Sequence, residues 1–173
     1  ETNIGILLGD GLIDIDIDDE RLLGLAKYIL PPSGLVFGRA SKRSSHYLYK
    51  SDHQETKKYT FGKKTLIEIR SKGCQTVVPP SVHIKGEAIT WERRESLTKT
   101  SSEQITQCVG LLAFTSIILN YYPSVSGERN DVCDAITGVL LRAGFGTEDI
   151  DTTVTFIAQH CGDEEYRKRA KAK

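Results

Sequence analysis

Between Gly11 and Glu20 the chain alternates isoleucine with aspartate, as Leu12-Ile13-Asp14-Ile15-Asp16-Ile17-Asp18. A period of two is that of a strand. The run therefore predicts Ile13, Ile15 and Ile17 on a buried face and Asp14, Asp16 and Asp18 on the other. Same-face neighbours on a strand stand roughly 6.5–7 Å apart, near enough for flexible carboxylates to share two divalent cations about 4 Å from one another. Three like charges on one face repel unless something positive sits against them, and a bound metal is the simplest expectation. A calcium-binding loop fails on spacing: counted from Asp14, the sixth place is Asp19 rather than glycine and the twelfth is Leu25 rather than glutamate. A solvated edge strand guarded by acids accounts for one or two such charges better than for three beside a continuous isoleucine face.

Three further stretches carry groups that could do chemistry. In Arg43-Ser44-Ser45-His46 the hydroxyls and the imidazole follow a segment rich in Arg and Lys. That combination can hydrogen-bond and neutralise a triphosphate, or be a solvated basic loop. In Ile67-Glu68-Ile69-Arg70 a strand would set Glu68 and Arg70 on one face, a further carboxylate beside a fixed cation; taken alone, an ordinary surface ion pair explains it as well. In Pro79-Pro80-Ser81-Val82-His83 the prolines make a rigid loop, and His83 reads as a turn-forming residue.

Charge is distributed to match. Residues 1–20 hold seven acids and no Lys or Arg, whereas Gly38 to Lys64 holds eight bases against Asp52 and Glu55, although the whole chain is neutral. An acidic strand followed by a basic segment suits metal plus polyphosphate. Hydrophobic content of 39% and charged content of 27% are those of a soluble globular protein, and no apolar run reaches membrane-spanning length. Cys74, Cys108, Cys133 and Cys161 are far apart, which argues against zinc or a disulfide framework and fits reduced thiols in a cytosol. The sequence has no methionine and begins with Glu1, so an excerpt of a longer protein is expected.

These groups need elements to hold them. Asn3 to Leu8 and the acidic strand, joined by Gly9-Asp10-Gly11, read as a hairpin. Leu22 to Leu30 has helical spacing and stops at Pro31-Pro32. Strands follow near Leu35–Phe37, at His46–Lys50 after a basic loop spanning Gly38 to Ser45, at Thr65–Arg70 and Cys74–Val78, with a last hairpin arm from Ile84 to Trp91. From Thr98 the period changes. Ser101-Ser102-Glu103-Gln104 caps a helix running to Leu119, Val132 to Ala143 traces a second with Gly144 as its cap, and Thr147 starts a third closed by Gly162. The charged stretch from Asp163 to Lys173 is expected to be a helix that frays. The fold class is α+β: a mixed-sheet core over residues 1–97 and a small helical region over 98–173.

Taken in order, the acidic strand, Ser-x-His after basic residues and a strand glutamate resemble the bifunctional primase-polymerase domains of the archaeo-eukaryotic primase superfamily, especially those of phages and mobile elements. The family's D-x-D looks like Asp16 and Asp18 in GLIDIDIDDE, with Asp14 a third member. Its Ser-x-His looks like Ser44 and His46 in GRASKRSSHYLYK, and its hydrophobic-acid pair looks like Ile67-Glu68 in LIEIRSKG. The segment QTVVPPSVHIKGEAITW is similar to the family's stretch of proline pair, histidine, glycine and aromatic strand. GERNDVCDAITGVLLRAGF and GDEEYRKR look like the helical segment that follows such domains and leads towards a helicase in many members. The resemblance implies an RRM-like catalytic half, without the N-terminal part that members usually carry before the first motif.

It further implies a template-directed nucleotidyltransferase that makes or extends primers on single-stranded DNA, in the cytoplasm of a bacterial host. Two Mg²⁺ or Mn²⁺ ions would be held by Asp16, Asp18 and Glu68 with Asp14, and His46 would join them in catalysis. A dNTP or NTP would be bound by His46, Ser44, Arg43, Arg70 and Arg39. Template phosphates would meet Lys42, Lys57, Lys58, Lys63 and Lys64. A replicative helicase is an expected partner and a membrane is not. Two rivals remain at this point: a metal-dependent nuclease using the same carboxylates, and a non-catalytic replication-initiator module that binds DNA.

Overall fold

In the computed structural model, which describes residues 3–170, the apolar segment Ile4–Leu7 forms β1 and the alternating run Leu12–Ile17 forms β2. A 3-10 turn at Glu20–Leu22 leads into α1 (Leu23–Ile29), ended by the proline pair. Strands β3 (Leu35–Arg39), β4 (Lys42–Ser51), β5 (Lys57–Phe61), β6 (Lys64–Arg70), β7 (Gln75–Val78), β8 (Ser81–Val82), β9 (Ala88–Arg94) and β10 (Thr98–Thr100) follow, then α2 (Ser102–Ile118), α3 (Ser126–Arg142) and α4 (Thr147–His160). Together they make an α+β protein in which a mostly antiparallel sheet is followed by helices. Two compact units divide the chain, Glu1–Ala113 and Phe114–Lys173.

The first unit is built on a sheet ordered β5-β6-β2-β4-β3-β9-β8, antiparallel throughout, with β10 added parallel to β4. β2 lies between β4 and β6. Its isoleucines 13, 15 and 17 are fully buried, on the same face as Tyr47 and Tyr49 of β4 and Ile67 and Ile69 of β6. Burial of each such side chain contributes about 1.5–3 kcal/mol. α1 packs against β4 on this face, and the Tyr49 hydroxyl donates to the Pro31 carbonyl at 2.6 Å. The other face is divided. Leu8, Phe37, Leu48 and Val78 form a small second core there with residues of β1 and β7, and the acidic groups occupy the rest.

Three expectations are corrected. β1 and β2 are not a paired hairpin: β1 pairs with β7 in its own two-stranded sheet, and only Gly9 and Leu12 bridge across the turn. Gly9, Asp10 and Gly11 all have positive φ (113°, 50° and 91°), and the connection they form leaves β2 free to take partners on both sides. The basic loop is largely a strand, since Lys42 to Ser45 already belong to β4 and only Ala40-Ser41 turn between it and β3. The change of period at Thr98 does not mark the division between the units. Thr98 to Thr100 pair with Tyr49 to Ser51, and the division falls within α2, after Ala113. Three polar residues carry too little pattern to be read as a strand.

In the second unit α3 starts earlier than its apolar face suggests, at Ser126, and buries Cys133, Ile136 and Leu140; α4 starts at Thr147 and buries Ile150, Val154, Ile157 and Ala158. Gly144 and Gly162 leave their helices at φ 83° and 73°, in the left-handed conformation that glycine takes without penalty. The charged tail makes only a 3-10 turn at Tyr166–Lys168; residues 171–173 lie outside the described residues. That tail is pinned by a buried carboxylate. Asp163 accepts from Arg169 Nε at 2.8 Å, from the Tyr122 hydroxyl at 2.7 Å and from the Glu165 amide at 2.9 Å. Among the described residues no helix is long and apolar enough to cross a membrane.

Candidate active site

Asp16 stands at the centre of the acidic face because β2 is flanked on both sides. In register, it lies opposite His46 of β4 on one side and Glu68 of β6 on the other. Two of the family-like motifs are thus brought to a third, and the alternation of each strand points all three side chains to one face. Asp14 lies opposite Leu48 and Arg70 in the same way. Asp18 comes one residue after β2 ends, and its amide and that of Asp19 both donate to the Leu66 carbonyl at 2.9 Å.

The acidic ladder has side-chain cations of the protein set against it. Arg70 Nη1 lies 3.6 Å from Asp14 and 3.5 Å from Asp16, and another nitrogen of the same guanidinium donates to the Gln75 carbonyl. His46 fills the other side: Nδ1 is 3.0 Å from Asp14 Oδ2, and Nε2 is 3.7 Å from Asp16. Its ring stacks on Phe37 at 4.6 Å with planes 3° apart, and Trp91 packs edge-on against Phe37. Asp14 is fully buried, so these two partners are what makes its charge tolerable, and its Oδ1 still has no hydrogen bond.

The electrostatics follow. Burial raises the Asp16 pKa above the usual carboxylate value; His46 and Lys42 pull it down, the charges of Asp14 and Asp18 push it up, and the net shift is upward. Burial acts to lower the His46 pKa, but the charge and hydrogen bond of Asp14, with Asp16 behind them, outweigh it and hold the imidazole above its usual value. His46 is braced by Asp14 at Nδ1, with its Nε2 edge towards Asp16. The other two carboxylates are paired with lysines. Lys58 Nζ is 2.8 Å from Glu68, and Lys42 Nζ is 3.5 Å from Asp18.

The remaining predicted site residues are spread more widely. Lys42, expected at template phosphates, is largely buried and directed at Asp18. Arg43 is 74% exposed, 3.8 Å from Glu92. Ser44 has φ 52°, a left-handed conformation unusual for serine, at a bulge where β4 runs more residues than β3 opposite Gly38. A Cβ on Gly38 would collide with the Lys42 carbonyl and the Ser44 amide, so only glycine permits this approach. The bulge sets Ser44 at a cavity of about 240 Å³ with Lys27, Tyr47 and Arg93, apart from the carboxylates. Arg39 is tied to Glu87 and Ser41. His83 forms its turn as expected, through Glu87 and Gly86, yet also borders a recess of about 30 Å³ with Arg39 and His46. Lys57, Lys58, Lys63 and Lys64 all belong to the β5–β6 hairpin, with Lys64 Nζ 3.8 Å from Asp19. Phe37 and Arg70 have structural roles here that no local pattern announces; only the strand order reveals them.

The chain matches the family model for bifunctional DNA primase/polymerase, N-terminal, over residues 1–108. It belongs to that family, and the matched stretch contains all the motifs just described. No curated protein and no solved structure matches it.

Proposed function

We propose that the protein is a template-directed nucleotidyltransferase that makes or extends primers on single-stranded DNA. The observation that carries the reading is the register of Asp16 between His46 and Glu68 on one sheet face, in a member of the primase/polymerase family. The donors suit the metal such chemistry uses, since Asp16, Asp18 and Glu68 offer only hard carboxylate oxygens, which is what Mg²⁺ and Mn²⁺ take. Among the described residues no three ligating side chains are placed to hold an ion, and Lys58 and Lys42 lie against Glu68 and Asp18. Bound divalent ions would supply charge stabilisation at the α-phosphate and lower the pKa of the attacking hydroxyl.

The chain's own residues do the positioning. His46, oriented by Asp14 and by its stack on Phe37, presents its Nε2 edge to the triphosphate. Arg43, exposed at the bulged start of β4, adds a further donor, whereas Ser44 lines the separate cavity with Lys27, Tyr47 and Arg93. Arg70 stays with Asp14 and Asp16 and fixes their geometry, a role different from the phosphate contact the motif order implies. The lysines of the β5–β6 hairpin meet the template. Incubating single-stranded template with labelled nucleotides and Mg²⁺ or Mn²⁺, with and without primer, tests this. Asp16→Ala and Asp18→Ala are each expected to abolish incorporation with DNA binding retained; near-normal incorporation by either would remove that residue from the site.

A further inference from the structure

The face of the sheet turned away from the carboxylates holds a second group of donors. Register lays two rows across β4, β3 and β9: His46, Phe37 and Trp91 on the acidic side, and Tyr47, Val36 and Arg93 on the side against which α1 packs. The second row borders the cavity of about 240 Å³ that Lys27, Ser44 and Glu92 also line. Simple alternation along β4 would set Ser44 beside His46; its left-handed backbone at the bulge brings it to this side instead. Tyr47 is only 5% exposed, and among the described residues its hydroxyl has no hydrogen-bond partner. Burial pushes that hydroxyl up to about 12 against the pull of the Arg93 charge, so it is a neutral O–H donor. Neither Lys27 nor Arg93 is ion-paired with a carboxylate among the described residues, and Arg93 gives one donor to the Ser33 carbonyl at 3.1 Å. Glu92 lies 3.8 Å from Arg43.

We propose that this cavity is an anion site for a single phosphate group, free or at the 5′ end of a strand, with the Tyr47 and Ser44 hydroxyls and the Arg93 and Lys27 cations as its donors. It is separate from the triphosphate contact at His46 and does not depend on the nucleotidyltransferase reading. Two cations and two hydroxyls around one space suit a tetrahedral oxyanion, whose oxygens accept charge-assisted hydrogen bonds from several directions. At about 240 Å³ the cavity is smaller than the roughly 300–1,000 Å³ of pockets that enclose drug-sized ligands, so a phosphate fits where a whole nucleotide does not. A buried hydroxyl without a partner is costly, and an acceptor on a ligand removes that cost. A notch filled by water would also satisfy the hydroxyl, but it gives no reason for two cations beside it that lack carboxylate partners.

Calorimetry with inorganic phosphate in EDTA, without nucleotide, reads this site apart from catalysis. The wild type is expected to bind phosphate, and Tyr47→Phe, which keeps the ring in the core and removes one oxygen, should weaken it about tenfold or more. Arg93→Gln should abolish binding, whereas His46→Ala should leave it unchanged. Tyr47→Phe carries the test by itself if Arg93→Gln folds poorly. A second titration compares dithymidylate bearing a 5′-phosphate with the same dinucleotide bearing a 5′-hydroxyl. Tighter binding of the phosphorylated form than of inorganic phosphate assigns the site to strand ends, and equal or weaker binding assigns it to the free ion. No phosphate binding by the wild type at about 10 mM, unchanged affinity in Tyr47→Phe, or binding that His46→Ala removes would overturn the proposal. If phosphate binds as described but no nucleotide is incorporated, it is the catalytic reading that fails and not this one.

Discussion

Two aspartates, a buried one in the helical unit and a half-buried one in the sheet, are met by similar side chains to opposite effect. Asp163 in the helical unit is met by Arg169, Tyr122 and the Glu165 amide at 2.7–2.9 Å, and the Arg169 bond above all holds its pKa down to about 2. Asp16 in the sheet is met by Arg70 at 3.5 Å and His46 at 3.7 Å, and burial with two acidic neighbours drives its pKa up. The first carboxylate is satisfied by hydrogen bonds and has nothing left to bind. The second meets its cations only at longer distances, and its side chain stays partly open to solvent. One cluster is a fastening and the other is a more loosely held group of charges, a difference made by geometry rather than by residue type.

The largest expected effect lies in the fastening. Asp163→Ala takes from the buried Arg169 its shortest ion pair, leaving only the longer contacts to Glu165 and Asn130, and should cost about 3 kcal/mol, read as a lowered melting temperature that no divalent ion restores. A loss below about 1 kcal/mol would put Asp163 among ordinary surface pairs and erase the contrast.

Next comes the imidazole. His46→Ala should raise the apparent KM for nucleotide more than it weakens template binding, by roughly thirtyfold for the loss of about 2 kcal/mol of charge-assisted hydrogen bonding. Equal nucleotide affinity in the variant and the wild type would reduce His46 to a packing partner of Phe37 and Asp14.

A smaller effect separates the two clusters by pH. Asp16 and His46 both have raised pKa values in the fold, so the folded state holds more protons than the unfolded one, and their contribution to stability falls as pH rises past about 4 for Asp16 and past about 6.5 for His46. Asp163 has the opposite sign: its contribution is present above pH 4 and is lost as pH falls through about 2. Melting curves between pH 4 and 8 in EDTA should therefore decline for the wild type. Asp16→Asn should lose the part of the decline that begins near pH 4, and a variant with the wild-type slope would contradict the assignment.

How much of this was legible differs between the two clusters. The isoleucine face of β2, the helix over Leu22–Leu30 and the glycine caps at Gly144 and Gly162 follow from periodicity and turn chemistry, which are local. The acidic face was legible as a face. Its partners were not, because the placement of β2 between β4 and β6 is a property of strand order, and nothing near Arg70 announces that it lies opposite Asp14. The expected basic loop failed for a related reason: a polar strand that begins in a bulge opposite Gly38 has no alternation to read. Asp163, in a stretch dense with charge, gave no sign of being buried, since burial there depends on Tyr122 arriving from elsewhere in the unit and on the turn that brings Arg169 back onto it.

The claim that the β2 carboxylates form an incomplete cation site is tested most directly by melting wild type and Asp16→Asn in EDTA and then across a Mn²⁺ titration. Removing one of the crowded charges should raise the melting temperature in EDTA, while a cation that binds only the folded wild type should add about 2.7 kcal/mol at a hundred times its Kd. Asp16→Asn is thus expected to melt higher than wild type without metal and to gain much less from Mn²⁺. Indistinguishable Mn²⁺ shifts in the two proteins would contradict the account.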